Sequence, residues 1–215
     1  MISSATHMQP EGEGLALCSS SSSGPGTACK APFFDRAPRD QALPMSFAQE
    51  RLWLIHQFDN SGAQNNLGIA VRLKGEINLA ALQGSLSALV ARHESMRTNL
   101  DLKDGMPVQI IRAEASFEFS QYMAAVGSDE PIKERVERIL AEQFNRAFDL
   151  RNDPLFRVAL VHLNSEEQVL MLTLHSTIAD AWSIGIFVSE ISAFYRAAVE
   201  ARSCVLPELW LQYAA

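Results

Sequence analysis

Apolar and polar residues follow two different spacings along the chain from about residue 44 onward. Four segments, starting near residues 47, 78, 128 and 183, place apolar residues three and four apart, as an amphipathic helix does. Between these segments lie short runs rich in β-branched and aromatic residues, which are typical of strands. The runs are 67–73, 96–102, 108–112, 155–163 and 169–174. The pattern predicts a soluble domain of mixed α and β structure.

The ends of these elements carry recognisable signals. Ser46, Asn78 and Ser128 are of the residue types that cap helix N-termini, and each stands just before a helical pattern. Asp104-Gly105 is a strong turn signal, so the runs on either side of it are predicted to pair as a hairpin. A short polar stretch separates the last two runs, which we expect to be neighbouring antiparallel strands.

Residues 1–43 are predicted to be a flexible tail or linker. They include the serine run Ser19–Ser23 and the turn-forming Gly24-Pro25-Gly26. Such a composition buries too little apolar surface to offset the entropy lost on ordering. A docking role for Phe33-Phe34 is the alternative. The folded domain is expected over residues 44–215.

Composition and charge narrow the functional classes. With 215 residues, 47% of them hydrophobic, the chain can form one sizeable core, and its formal charge of -7 disfavours nucleic acid as a partner. Cys18, Cys29 and Cys204 are too far apart for a metal site and too few for a disulfide framework, which predicts a reduced, cytoplasmic protein. The apolar stretch Leu15–Cys18 is too short for a signal peptide or a membrane span, so no membrane association is expected.

Unusual polar residues lie where the last predicted strand meets the last predicted helix. This connection reads His175-Ser176-Thr177-Ile178-Ala179-Asp180, and such connections commonly carry chemistry on a rigid scaffold. Two earlier segments are also distinctive. They are Ser46–Trp53, which reads SFAQERLW, and Arg92–Thr98, which reads RHESMRT.

Together these segments resemble the condensation domains of nonribosomal peptide synthetases. The first is similar to S-x-A-Q-x-R-[LM]-[WY], the second to R-H-E-x-L-R-T, and the third, extended to Ser183, to H-H-x-x-x-D-G-x-S. Phe148–Leu150 and Asp153–Arg157 resemble a further stretch of the family. The resemblance implies an α+β sandwich, namely the amino-terminal lobe of a chloramphenicol acetyltransferase-like fold. This lobe has a mixed, mainly antiparallel sheet flanked by helices.

The resemblance also implies a reaction and a set of partners. Condensation domains join a donor acyl group to the amine of an acceptor aminoacyl group, and carrier proteins present both groups on phosphopantetheine. The expected partners are therefore peptidyl carrier proteins and adjacent synthetase domains. No cofactor or metal is expected to bind directly. Because these domains have two lobes, the chain is expected to be a truncated domain.

Ser176 stands where the family motif has its second histidine. That histidine is thought to accept a proton from the attacking amine or to orient the amine, and imidazole suits both roles because its pKa is near neutral. A serine hydroxyl holds its proton too tightly to act as a base near pH 7. Neighbouring side chains of a strand point to opposite faces, so His175 is not expected to activate Ser176 as a nucleophile. We expect Ser176 to line a non-reactive cavity.

The resemblance assigns structural roles to the other motif residues. His175 corresponds to the first histidine and is expected to be a hydrogen-bonded core residue. Asp180 corresponds to an aspartate that forms an ion pair holding the loop, and Arg97 is its expected partner. Ala181 replaces the family's glycine and adds a β-carbon that close packing or a positive φ would exclude.

Two functional hypotheses follow. In the first, the chain is a catalytically impaired condensation domain that acts as an interaction module for a carrier protein or a neighbouring domain. In the alternative, it is the amino-terminal half of an active domain that forms an amide bond between carrier-tethered groups, with weak activity from positioning alone. The changes at Ser176 and Ala181 favour the first. His93-Glu94 is expected to be part of a structural network and not a catalytic acid–base pair.

Overall fold

The computed structural model describes residues 37–39, 41–58, 62–124 and 130–214. The helices are α1 (Phe47–Phe58), α2 (Leu79–Arg92), α3 (Ile132–Asn145) and α4 (Ala181–Val199), and a short 3-10 helix spans Glu94–Arg97. The strands are β1 (Leu43–Pro44), β2 (Asn66–Lys74), β3 (Thr98–Lys103), β4 (Met106–Ile111), β5 (Glu118–Met123), β6 (Phe156–His162) and β7 (Glu167–His175). The predicted α+β fold is confirmed.

The strands form two sheets. The larger sheet has the order β2-β7-β6-β5, in which β7 is antiparallel to both of its neighbours and β5 is parallel to β6. The smaller, antiparallel sheet has the order β1-β4-β3. Asp104 and Gly105 join β3 to β4 with φ values of 52° and 79°, and positive values of this kind are what a two-residue hairpin turn requires. The predicted hairpin and the antiparallel pairing of β6 with β7 are both present.

Helices cover both faces of the larger sheet. On one face, Val71 and Leu172 line a cavity together with Ile191 of α4. On the other face, α3 packs so closely that a β-carbon added at Gly68 would lie 2.7 Å from the ring of Phe144. Alternate residues of a strand point to opposite faces, so β2 and β7 contribute side chains to both layers. The main core lies on the α2 and α4 side and is rich in fully buried leucines such as Leu86, Leu89, Leu160 and Leu174.

The N-terminal caps predicted for α1 and α2 are present. The Ser46 hydroxyl accepts from the Gln49 amide at 3.2 Å, and the Gln49 side chain accepts from the Ser46 amide at 2.9 Å, which forms a reciprocal cap on α1. The Asn78 side chain accepts from the Ala81 amide at 3.0 Å at the start of α2. Ser128, the predicted cap of α3, lies outside the described residues, and α3 begins at Ile132.

Two residues of the segment predicted to be a tail contact the domain. Leu43 is buried and lies opposite Gln109 in the small sheet, because β1 completes the open edge of β4. Arg39 forms an ion pair with Glu94 at 2.7 Å. The part of the predicted tail up to residue 36, including Phe33-Phe34, lies outside the described residues.

The described ranges contain neither a membrane-spanning helix nor a cluster of metal-binding side chains. Within them, no helix combines the length and the hydropathy needed to cross a bilayer. The same residues contain no group of three or more His, Cys, Asp or Glu side chains arranged to hold a metal ion. Cys204 carries a free thiol, and Cys18 and Cys29 lie outside the described residues.

Candidate functional site

The connection between β7 and α4 is fixed by backbone hydrogen bonds. The His175 amide donates to the Leu155 carbonyl at 3.1 Å, and the Ser176 amide donates to the Asn65 carbonyl at 2.9 Å. A tight turn follows, in which the Ile178 amide donates to the His175 carbonyl at 3.1 Å. The backbone of the motif is therefore hydrogen-bonded to the residues that precede β6 and β2, and to itself through the turn.

His175 is a fully buried residue with 0% exposure. Its Nδ1 lies 2.9 Å from the Thr177 hydroxyl and accepts from the Thr177 amide at 3.3 Å. The rings of Phe148 and His56 pack edge-on against the imidazole, at centroid distances of 6.2 Å and 5.6 Å. Burial, assisted by the neighbouring His56, lowers the pKa of His175 to about 4. The imidazole is consequently neutral near pH 7.

His56 is a neighbour of the motif that sequence spacing did not single out. It lies on α1, far from His175 in sequence, and only the packing of α1 against the strand end brings the two rings together. The one sequence signal for this contact was the position of His56 on the inward-facing side of the predicted helix. Its contact with His175 makes the surroundings of the buried ring less favourable to a positive charge.

Ser176 points away from His175. Its hydroxyl donates to the Asn65 carbonyl at 2.7 Å, the same oxygen that accepts from the Ser176 amide. The side chain is half-buried and lines a cavity of about 420 Å³. The hydroxyl proton is thus directed at a backbone oxygen, and no side-chain base among the described residues shares a hydrogen bond with it.

The cavity beside Ser176 is enclosed by several elements that are distant in sequence. The motif and the first turns of α4 form one wall, the end of α2 and the 3-10 helix form another, and the segment 209–213 forms a third. The lining residues are Ala48, His93, Ser95, Ser176, Thr177, Ile178, Ala179, Asp180, Ser183, Ile186, Phe187, Leu209, Leu211, Gln212 and Tyr213.

Asp180 caps α4 and does not form the predicted ion pair with Arg97. Its Oδ1 accepts from the Ser183 amide at 2.8 Å and from the Ser183 hydroxyl at 2.6 Å, and these bonds lower the pKa of the carboxyl group. Arg97 instead donates to the Arg112 carbonyl at 2.6 Å and lines a different cavity. The prediction of an Arg97–Asp180 ion pair is wrong, because the helix end satisfies the carboxylate locally.

Ala181 fits its position without a positive φ. It is the first residue of α4, and the described non-glycine residues with positive φ are Asp104 and Ala201. Its side chain is exposed. The expected conflict with a β-carbon is therefore absent in this backbone.

Arg92 and His93 converge on Glu190 of α4. Arg92 Nε lies 3.1 Å from Glu190 Oε1, and His93 Nε2 lies 2.7 Å from Glu190 Oε2. Glu94 turns away and pairs with Arg39. His93 and Glu94 thus belong to separate contacts. Glu190 escaped sequence reasoning, although it follows Phe187 by three residues on the inward face of α4, where a charged side chain needs a partner.

Hydrogen bonds to Arg92 and Ser46 hold the segment 207–213 against the cavity. Arg92 donates to the Pro207 carbonyl at 2.5 Å, and its own carbonyl accepts from the Gln212 side chain at 3.0 Å. The Tyr213 hydroxyl lies 2.8 Å from the hydroxyl of Ser46. Residues from two separate sequence motifs therefore hold this wall in place.

Comparison with known proteins identifies the family. A family model described as the condensation domain matches residues 39–215. The chain belongs to the condensation-domain family. It is 36% identical over 191 residues to a linear gramicidin synthase of Brevibacillus parabrevis, in a match that covers 89% of this chain and 2% of that protein. It is 34% identical over 188 residues to a dimodular nonribosomal peptide synthase of Bacillus subtilis, in a match that covers 87% of this chain and 8% of that protein.

A solved structure supports the same assignment. The complex of the X-domain and OxyB from teicoplanin biosynthesis matches this condensation-family chain with a TM-score of 0.72 and 28% sequence identity. The match covers 87% of this chain and 39% of the other. The chain thus spans a small part of its curated relatives and about two fifths of this solved structure.

The chemical groups around the cavity define what this condensation-family site can do. A carboxylate comes from Asp180, and hydroxyl groups come from Ser95, Ser176, Thr177, Ser183 and Tyr213. The imidazole on the cavity wall is that of His93, whose Nε2 is held by Glu190. These groups can bind polar atoms of a ligand. The Ser176 and Asp180 side chains are already engaged by neighbours, which limits their use as proton carriers.

Proposed function

We propose that this chain is the amino-terminal lobe of a catalytically impaired condensation domain that acts as an interaction module. The partner is a peptidyl carrier protein or a neighbouring synthetase domain. The observation that carries the proposal is the Ser176 hydroxyl, which donates to the Asn65 carbonyl at 2.7 Å. Ser176 occupies the position of the second motif histidine. Loss of a general base there removes a contribution of about 10²–10⁴-fold.

His175 does not compensate for this loss. Its ring is fully buried, its Nδ1 accepts from the Thr177 amide, and its pKa of about 4 makes it a poor proton acceptor at neutral pH. A base must also lie within about 3 Å of the atom that carries the proton to be removed. The imidazole faces the core, whereas an acceptor amine would enter from the cavity.

Exposed aromatic side chains support the interaction role. Phe47 at the start of α1 is 92% exposed, Phe58 at the end of α1 is 79% exposed, and Trp182 at the start of α4 is 79% exposed. Aromatic residues are enriched in protein–protein interfaces relative to the rest of the surface. The solved X-domain that this chain resembles is in complex with another protein, OxyB. In this proposal phosphopantetheine reaches the cavity on a carrier protein and is not bound as a resident cofactor.

The alternative function is amide formation through positioning alone. The observation that favours it is the open cavity of about 420 Å³ beside Ser176, which has room for tethered substrates. Correct placement of an amine beside a thioester accelerates aminolysis without a base. Under this alternative the hydroxyl of Ser176 orients the amine.

The two functions are separated by measuring binding and amide formation together. The native polypeptide that carries this chain would be mixed with donor and acceptor carrier proteins, both loaded through phosphopantetheine. We expect carrier binding with amide formation at the uncatalysed rate, and Ser176→His to raise that rate. Ser165→His, in an exposed loop, is the matched control and leaves the rate unchanged. Amide formation well above the uncatalysed rate with native protein would support the alternative, and absence of carrier or domain binding would contradict the module.

A further inference from the structure

A second cavity lies between the larger sheet and the carboxyl-terminal half of α4. Its volume is about 440 Å³, which falls within the usual range of small-molecule sites. It shares no lining residue with the cavity beside Ser176.

The interior of this second cavity is apolar. The sheet contributes valine and leucine side chains such as Val71 and Leu172, and α4 contributes Val188 and Ile191. The Ser192 hydroxyl donates to the Val188 carbonyl at 2.7 Å, so it offers no proton to a ligand. An aliphatic chain fits such a surface, because it loses no hydrogen bond on leaving water.

The rim of the second cavity carries two unused donors. Glu200 forms an ion pair with Arg202. Arg196, one turn earlier on the same helix, forms no ion pair in the described part of the chain. The Tyr195 hydroxyl accepts from the Asn78 amide at 3.0 Å, which leaves its own proton free to donate. The rim therefore offers the positive charge of Arg196 and the hydroxyl donor of Tyr195, which are adjacent in sequence.

We propose that the second cavity binds an aliphatic carboxylate such as a medium-chain fatty acid. The tail packs against the sheet, and the carboxylate accepts hydrogen bonds from Arg196 and Tyr195. Charge complementarity selects this ligand class, since arginine is suited to carboxylates and the rim's only described acid is already paired. The proposal is independent of the chemistry at Ser176.

Calorimetric titration with decanoate and with decanol tests the proposal. Both ligands are used below their aggregation concentrations, with the native polypeptide that carries this chain. We expect saturable binding of decanoate that is about 10- to 100-fold tighter than that of decanol, because the charge-assisted hydrogen bonds are absent from the alcohol. Arg196→Gln is expected to reduce decanoate binding to the level of decanol. Arg138→Gln, an exposed arginine of α3 on the opposite face of the sheet, is the matched control and leaves binding unchanged.

A second variant tests the location of the tail. Val188→Phe fills the apolar interior and is expected to abolish binding of both ligands while circular dichroism shows native secondary structure. Arg196→Gln changes an exposed residue, so the test does not depend on the folding of the core variant. Equal affinities for decanoate and decanol, unchanged binding in Arg196→Gln, or no saturable binding to the native chain would each overturn the proposal. The last outcome leaves apolar side chains of a neighbouring domain as the remaining occupant.

Discussion

His175 and Ser176 are adjacent in sequence, yet the His175 imidazole packs against the rings of His56 and Phe148 while the Ser176 hydroxyl donates to the Asn65 carbonyl. The imidazole of His175 is fully buried, whereas the hydroxyl of Ser176 lines the cavity that α4 borders. The alternation of side chains at a strand end accounts for this arrangement. The buried ring serves the fold, and the hydroxyl is the only one of the two that a ligand in the cavity can meet.

The buried imidazole of His175 makes stability depend on pH. Its pKa is about 4 in the folded chain against an ordinary value of 6.5, so the unfolded chain binds more protons between these values. The free energy of unfolding therefore falls as the pH drops through this window. Between pH 7 and pH 5 the contribution of His175 is about 2 kcal/mol.

Urea unfolding of the native chain and of His175→Gln at both pH values checks this prediction. The variant is less stable than the native chain at pH 7, but its loss of stability on acidification is smaller by about the amount given above. Identical pH dependence in the two proteins would show that His175 does not titrate in this window.

Because Asp180 caps α4 by accepting from Ser183, its effect on stability is expected to be coupled to Ser183. Asp180→Ala is expected to lower the free energy of unfolding by about 1 kcal/mol, because Ser183 loses its acceptor. A double-mutant cycle of Asp180→Ala with Ser183→Ala gives a non-zero coupling energy. The cycle with Arg97→Gln gives none, since Arg97 donates to the Arg112 carbonyl. Coupling between Asp180 and Arg97 would restore the ion pair that the resemblance implied.

Glu190 is predicted to matter more for stability than an exposed glutamate does. Its carboxylate holds both Arg92 and His93, and its side chain is only 12% exposed. Glu190→Gln removes the charge and is expected to cost about 2 kcal/mol. The matched control is Glu137→Gln, which breaks an exposed pair with Lys133 and costs less than about 0.5 kcal/mol. Equal losses in the two variants, measured by urea unfolding, would argue against the network.

Two glycines are predicted to respond to alanine in opposite directions. A β-carbon at Gly68 would lie 2.7 Å from the ring of Phe144, so Gly68→Ala is expected to cost about 1–3 kcal/mol. Gly84 lies within α2 with nothing within 4 Å of such an atom. Gly84→Ala is expected to stabilise the chain by about 0.5–1 kcal/mol, because alanine favours helix. Thermal unfolding separates the two, and a destabilised Gly84→Ala would show that the space beside α2 is filled.

Local signals made much of the fold predictable. The Ser46 and Asn78 caps and the Asp104-Gly105 turn act within a few residues, so the sequence contains both partners of each contact. The inward face of α2 follows from spacing alone, and Leu86 and Leu89 are fully buried there. By contrast, β5 pairs in parallel with β6 across more than thirty residues of chain, and no local pattern specifies that partner.

The candidate site was less predictable because its contacts are distant in sequence. Ser176 donates to a carbonyl of Asn65, and His93 meets Glu190, so each partner comes from another element. The expected ion pair of Asp180 came from resemblance and failed, since the adjacent Ser183 satisfies the carboxylate first. Sequence identified the motif, but packing decided which atoms its side chains contact.

In the proposed function, Ser176 performs no proton transfer. The most direct test measures amide formation between loaded donor and acceptor carrier proteins by the native polypeptide that carries this chain, and by its Ser176→Ala variant. Both are predicted to give the uncatalysed rate, because the native hydroxyl already donates to Asn65 and cannot take up a proton from an amine. A native rate well above background that is lost in Ser176→Ala would show that the Ser176 hydroxyl takes part in catalysis.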